Sequence, residues 1–304
     1  MSIKQGHYAV SNFHIEVDGK SGGYLSSFQA PSYEVEDVSQ ALGPDYVTKK
    51  MMGAPKIGES TAVFNISQAG ELLAWVETVW NKQCVEKDTT VRLADQDYNI
   101  KRGIDMGACV ITGIEWPELK ASDGKKHFEV TAKWQAQNIK YVGGGGGKAQ
   151  GVMGSKAKAW MVNNFEVQPV FGLKTEWITS IGLPKITPKI AKESHGKFRL
   201  PLLNYASVEF ASIKIEIGAA GQKQAEDLAI RIIQDGNCEE GEFQDILIDM
   251  KDQSLKKVLG TFTLIGCGLK KFDWAPKLEG GKEGLATATM EFLVEDFRYA
   301  VAHK

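Results

Sequence analysis

With 304 residues, 43% of them hydrophobic, the chain is long enough for two ordinary cores, and a formal net charge of -2 gives it no field that would draw nucleic acid or anionic lipid. No apolar run approaches the roughly 18 residues a bilayer crossing needs. The opening Met1-Ser-Ile-Lys-Gln-Gly-His7 lacks the apolar centre of a secretory signal, so synthesis in a cytoplasm, with no membrane binding of its own, is expected.

Phe13, Ile15 and Val17 alternate with His14, Glu16 and Asp18, the two-residue period of a strand with one buried face. Asp18-Gly19 and Gly22-Gly23 are turn chemistry, and Tyr24–Phe28 reads as the returning strand of an opening hairpin. Ser32–Glu36 reads as a third strand. From Asp37 to Gly58 no period is evident, and Gly43-Pro44 and Ala54-Pro55 sit among lysines and methionines: a long loop or a projecting hairpin. Thr61–Ile66 resumes the alternation. Ala69, Leu72, Leu73, Val76, Val79 and Trp80 then recur at helical spacing, with Ser67 as the expected cap and Glu71 and Lys82 suiting the two ends of the helix dipole. Strands are expected at Thr89–Leu93, Asp97–Arg102, Ala108–Trp116 and His127–Ala136, the last finishing a first domain over residues 1–142.

Gly143–Gly147 cannot hold a helix or strand cheaply, and residues 143–159 read as a flexible Gly- and Lys-containing linker. The order of elements then repeats over 160–304. Phe165–Val170 and Glu176–Ile181 correspond to the opening hairpin, and the basic stretch from Thr187 to Ser207 to the long loop. Ile213, Ile215 and Ile217 mark a strand, and Ala225, Leu228, Ala229, Ile232 and Ile233 a helix ended by Asp235-Gly236. Phe243–Met250, Val258–Cys267 and Leu285–Val294 complete the copy. Asn12-Phe13 recurs as Asn164-Phe165, and Tyr24–Pro31 is answered by Trp177–Pro184. Trp116 and Trp274 share with Tyr141 and Tyr299 one displacement of 158 positions. A tandem duplication is the simplest cause.

The search for chemistry is negative. The histidines at 7, 14, 127, 195 and 303 are scattered, without H-E-x-x-H or H-x-E spacing, and no G-x-S-x-G elbow or phosphate loop occurs. Cys84, Cys109, Cys238 and Cys267 form no C-x-x-C pair and read as small buried hydrophobes, Cys109 and Cys267 at equivalent places. The expectation is no enzyme, no cofactor and no metal. The lysine-bearing loops read as solvated charge, since acidic residues outnumber basic ones 38 to 36, so no sequence-specific nucleic-acid binding is expected.

Asn12-Phe-His-Ile-Glu-Val-Asp-Gly19, Gly23-Tyr24-Leu-Ser-Ser-Phe28, Leu72-Leu-Ala-Trp75 and Pro117-Glu-Leu-Lys-Ala-Ser122 occur in this order over nearly the whole first half. In them the chain resembles the tail-tube proteins of contractile phages and phage-tail-like injection systems, and more distantly the haemolysin-coregulated ring protein of type VI secretion. The second half keeps the pattern but not the Asp-Gly turn, the helix tryptophan or the Ala-Ser pair. The resemblance implies an all-β fold with one helix per domain, here two tandem tail-tube-like β-barrel or sandwich domains, in a six-membered ring of domains around a lumen within a virion tail or injection particle. It implies as partners further copies of the chain and the tube, baseplate, hub, cap or sheath proteins of the same particle.

The long loops would then touch neighbouring subunits, which makes Tyr46, Lys49, Met51 and Met52, with Lys189 and Lys197 in the counterpart, the candidate interface residues. Three chains with domains side by side and six chains with domains stacked both fit, because a linker of roughly 17 residues reaches about 55 Å extended. The divergence of the second half favours an adaptor at a tube end. An ordinary tandem tube subunit, or a two-domain β binding module, stands as the alternative.

Overall fold

The computed structural model describes residues 12–23, 25–41, 43, 47–143, 147–148, 160–196, 199–237, 242–274 and 287–301. The fold is all-β with one helix in each half. The first half contains β1 (Phe13–Val17), β2 (Lys20–Ser21), β3 (Leu25–Gln29), β4 (Tyr33–Gln40), β5 (Lys49–Ile57), β6 (Glu59–Asn65), α1 (Gly70–Trp80), β7 (Lys87–Ala94), β8 (Ile100–Glu115), β9 (Leu119–Lys120), β10 (Glu129–Gln135) and β11 (Asn138–Gly143). The second contains β12 (Phe165–Val167), β13 (Ile178–Ile181), β14 (Ile186–Glu193), β15 (Leu202–Phe210), β16 (Ile213–Ile217), α2 (Gln222–Ala229), β17 (Gln244–Lys251), β18 (Val258–Asp273), β19 (Ala288–Leu293) and β20 (Asp296–Val301).

The long strand β8 organises the first half by belonging to two layers. Its N-terminal part lies between β7 and β11, and its C-terminal part pairs with β10, which continues through β6 to β3. The switch falls at Ala108, whose φ of 48° bulges the strand and turns it, while Asp88 Oδ1 accepts the freed Ala108 N–H at 2.8 Å. Between the layers the alternating inward residues Ile15, Val17, Val91 and Met106 meet Phe64, Val130, Ala132 and Trp134, all buried. The helix closes this core with Leu72, Trp75 and Val76, the Trp75 and Trp134 rings standing edge to face at 5.8 Å.

Several sequence expectations are corrected. β1 and β3 do not form a hairpin: β2 folds back on β1, β1 joins β7, and β3 crosses to β6 in the other layer. The crossing needs Gly23, which has φ +96° and passes so close to the helix entry that an added Cβ would lie 2.3 Å from the Gln68 carbonyl. The two strands expected at Asp97–Arg102 and Ala108–Trp116 are one, Ile100–Glu115, because the bulge bends the ladder without ending it, and Asp97 lies in the turn before it. Ser67 does not cap α1. It lies in a 3-10 turn, Ile66–Gln68, where Asn65 Oδ1 accepts its backbone N–H at 3.2 Å. Of the two forms expected for the stretch after Asp37, loop or projecting hairpin, the structure has the hairpin, β4–β5, with β4 starting already at Tyr33. Each half also ends one strand later than expected, in β11 and β20. Gly143 closes β11, Gly147 O accepts from Ile100 N–H and Lys148 bridges Asn99, while residues 144–146 and 149–159 lie outside the described residues, as does Tyr24.

The second half repeats the first in register. In the hairpins Tyr33 answers to Ile186, Gln40 to Glu193, Lys49 to Leu202 and Ile57 to Phe210, a constant displacement of 153 positions that also carries one ladder irregularity onto the other. Thr89↔Met106 and Lys87↔Cys109 recur as Ile246↔Leu264 and Gln244↔Cys267, and Asn138↔Gly107 as Asp296↔Ile265. The bulge recurs too, with Gly266 at φ +63° donating to Asp245 Oδ1 at 3.0 Å. The tight turn keeps its shape although its sequence changes: Asp18-Gly19 (φ 49° and 74°) becomes Phe171-Gly172 (φ 55° and 78°). Phe171 instead stacks its ring on Phe292 at 5.1 Å.

Candidate assembly faces

The two halves meet edge to edge. Beyond Pro117 the first half gives β9, which adds to β13 at the rim of the second half's sheet, with Ala121 N–H donating to Thr179 O at 3.0 Å. In exchange the second half lays its hairpin β14–β15 on the free flank of β8, Ile186 opposite Ile114. Ile111 N–H, which has no strand partner on that flank, donates to Tyr205 Oη at 2.5 Å. Burial drives the Tyr205 hydroxyl well above its ordinary pKa, against the Ile111 N–H contact, which lowers it, so it stays protonated. Glu115 Oε1 takes Lys133 Nζ at 2.8 Å from its own half and Lys185 Nζ at 2.7 Å from the other, and these ammonium groups hold its carboxyl below the usual range.

Behind this seam the halves share an aromatic core. Trp80, Trp116 and Phe128 from the first half interleave with Phe262, Phe297 and Tyr299 from the second. Trp116 lies 5.5 Å from Phe262 and 5.3 Å from Phe297, and Trp80 stands edge-on to Tyr299 at 6.4 Å. Edge-to-face and tilted aromatic pairs add roughly 0.5–1.5 kcal/mol each beyond the area they bury. The seam is therefore a packed interior: one hydrophobic cluster runs through both halves.

The candidate interface residues divide between the two hairpins. Lys49, Met51 and Met52 all lie on β5 of the projecting hairpin, where Met52 is 89% exposed. Lys189 lies on β14 and pairs with Glu209 across its own hairpin at 2.7 Å. Tyr46 and Lys197 lie outside the described residues. Tyr33, Val35 and Val47 on the same projecting hairpin are exposed as well, and so are Tyr141, Ile233, Phe243 and Trp274 elsewhere. Sequence reasoning passed over these as interface residues, although the equal spacing of Tyr141 with Tyr299 and of Trp116 with Trp274 was the available signal. In each pair one member is in the shared aromatic core and the other is open.

No group of three or more His, Cys, Asp or Glu that could hold a metal occurs among the described residues. Cys109 and Cys267 are buried, and burial pushes both thiols up to about 12, which leaves them protonated and unreactive at neutral pH. No described helix is long and apolar enough to cross a membrane.

No family model and no curated protein sequence matches the chain. Among solved structures it is similar to the tube-terminating cap of the anti-feeding prophage, at 16% identity and a TM-score of 0.39, covering 46% of this chain and 89% of that one. It is also similar to the sheath/tube terminator of an extracellular contractile injection system, at 15% identity and a TM-score of 0.41, covering 46% and 99%. A third likeness is to Hcp1 from Flavobacterium johnsoniae, at 18% identity and a TM-score of 0.27, covering 45% and 98%.

Proposed function

We propose that the chain is a structural subunit of the inner tube of a contractile phage tail or phage-tail-like injection system, a tandem of two tube domains that forms a ring around a lumen and carries no catalysis. The observation that carries this reading is the seam. Strands of one half extend the sheet of the other, while among the described residues no strand pairs with the matching flank of β18 or extends the hairpin β4–β5. Open sheet edges invite association, and a neighbour that covers them turns the hazard into an assembly rule. Edge-to-edge halves fit three chains laid side by side better than six chains with stacked halves.

Within that reading, the unlike surfaces of the two halves suit a ring at a tube end, where one face meets tube and the other a baseplate, hub or cap. A tandem subunit repeated along the tube is the plainer form. Native mass spectrometry with negative-stain microscopy tests the proposal. Closed annular particles of three copies of the 33.3 kDa chain are expected. Isolated 33.3 kDa globules at every concentration would overturn it.

A further inference from the structure

Resting on that ring reading, the structure assigns the joint between copies: the hairpin β4–β5 of one copy docks on the free flank of β18 in the next, in the register that β14–β15 already uses on β8. The repeated registers allow the internal seam to be read as a template. Ile186, fully buried opposite Ile114, has Tyr33 as its counterpart, and Ile114 has Phe272, so Tyr33 of one copy falls opposite Phe272 of another. Tyr33 is 56% exposed in the single chain.

The two sides of this unmade joint differ from the internal seam in matched fashion. Inside the chain Tyr205 lies in a cleft that it lines together with the carboxylate-bearing Glu86. Its counterpart is Met52, and the counterpart of Glu86 is Phe243, which is exposed beside Gly268. A polar pair has become an apolar pair, with Met52 and Phe243 each exposed among the described residues. The aromatic core repeats the pattern. Trp116, Trp80 and Tyr299 are packed together, whereas their counterparts Trp274, Ile233 and Tyr141 are open, Trp274 by 56% and Tyr141 by 68%. Trp274 and Ile233 lie on the second half and Tyr141 on the first, so only another copy can unite them in the way that Trp80 meets Tyr299. Each chain then gives one face and receives the other, a heterologous contact that closes into a ring when the rotation allows, with strand addition supplying backbone hydrogen bonds.

Cysteine pairing tests the register. Antiparallel partners stand about 4.5–5.5 Å apart at Cα, within disulfide reach, so a Tyr33→Cys/Phe272→Cys chain under mild oxidation is expected to give a covalent ladder ending at the ring. Wild type and each single variant should give none. Separately, Trp274→Arg or Met52→Asp, both at exposed sites, should shift native mass to the single 33.3 kDa chain with an unchanged circular dichroism spectrum. Rings that survive both substitutions and yield no ladder would overturn this joint while leaving the ring reading intact. A wild-type chain that never leaves the monomer would overturn both.

Discussion

The hairpins β4–β5 and β14–β15 have the same lengths, the same register and the same irregularity, yet one is bare and the other forms part of an interior. The difference is not in the backbone. β14–β15 finds β8 of the same chain, so Ile186 and Leu203 are buried, and Tyr205 meets the Ile111 amide. Among the described residues β4–β5 joins no further strand, and Tyr33, Val35 and Met52 stay exposed. Identical local structure therefore acquires its energy from what lies opposite, and apolar residues on a bare hairpin indicate a surface awaiting cover.

The comparison can be broken most severely in the core beneath it. Trp134 is fully buried against Phe28 and Trp75, where the second half has the smaller Phe292. Trp134→Ala is expected to cost about 3–5 kcal/mol by denaturant unfolding, and because the aromatic core is shared, both halves should unfold in one transition. The seam comes next. Tyr205→Ala should cost about 2–3 kcal/mol, whereas Met52→Ala, at the same place on the bare hairpin, should stay within about 0.5 kcal/mol in dilute single chains. Equal losses at the two sites would show that the hairpins are not in unlike surroundings.

The bulges give a smaller test. Gly266→Ala places a methyl group at φ +63° against the Glu295 side chain and should destabilise by about 1–2 kcal/mol. The reverse change, Ala108→Gly, removes a left-handed alanine and should stabilise by up to about 1 kcal/mol. Scanning calorimetry of the pair decides whether the two positions are conformational equivalents. The smallest effect at neutral pH is at Cys109. Its folded pKa, raised by burial from 9.0 to about 12, contributes stability that is fully present below pH 9 and is lost as pH rises toward 12. Cys109→Ala should therefore leave stability near pH 7 little changed and flatten its decline between pH 9 and 12.

Much of this was legible in the sequence because it rests on local pattern. The alternation at Phe13–Val17 and the helical stripe from Leu72 to Trp80 both express which face of an element is buried. Ser67 was misread because Asn65, two residues earlier, accepts both the backbone N–H and the hydroxyl of Ser67 in the 3-10 turn before the helix. β8 was read as two strands because a bulge looks like a break when its partners are unknown. The candidate lysines on the loops were chosen by composition, which cannot separate Lys189, paired within its hairpin, from the apolar residues that stand bare on the other.

By itself the sequence determined that the chain is all-β with one helix in each half, since periodicity and spacing are properties of neighbouring residues. Only the tertiary structure decided that β1 and β3 part into different layers, that one hairpin is covered and its twin bare, and that Trp116 is enclosed while Trp274 is open. Those outcomes depend on which strand edge lies beside which, a relation between residues far apart in the chain that no local pattern encodes.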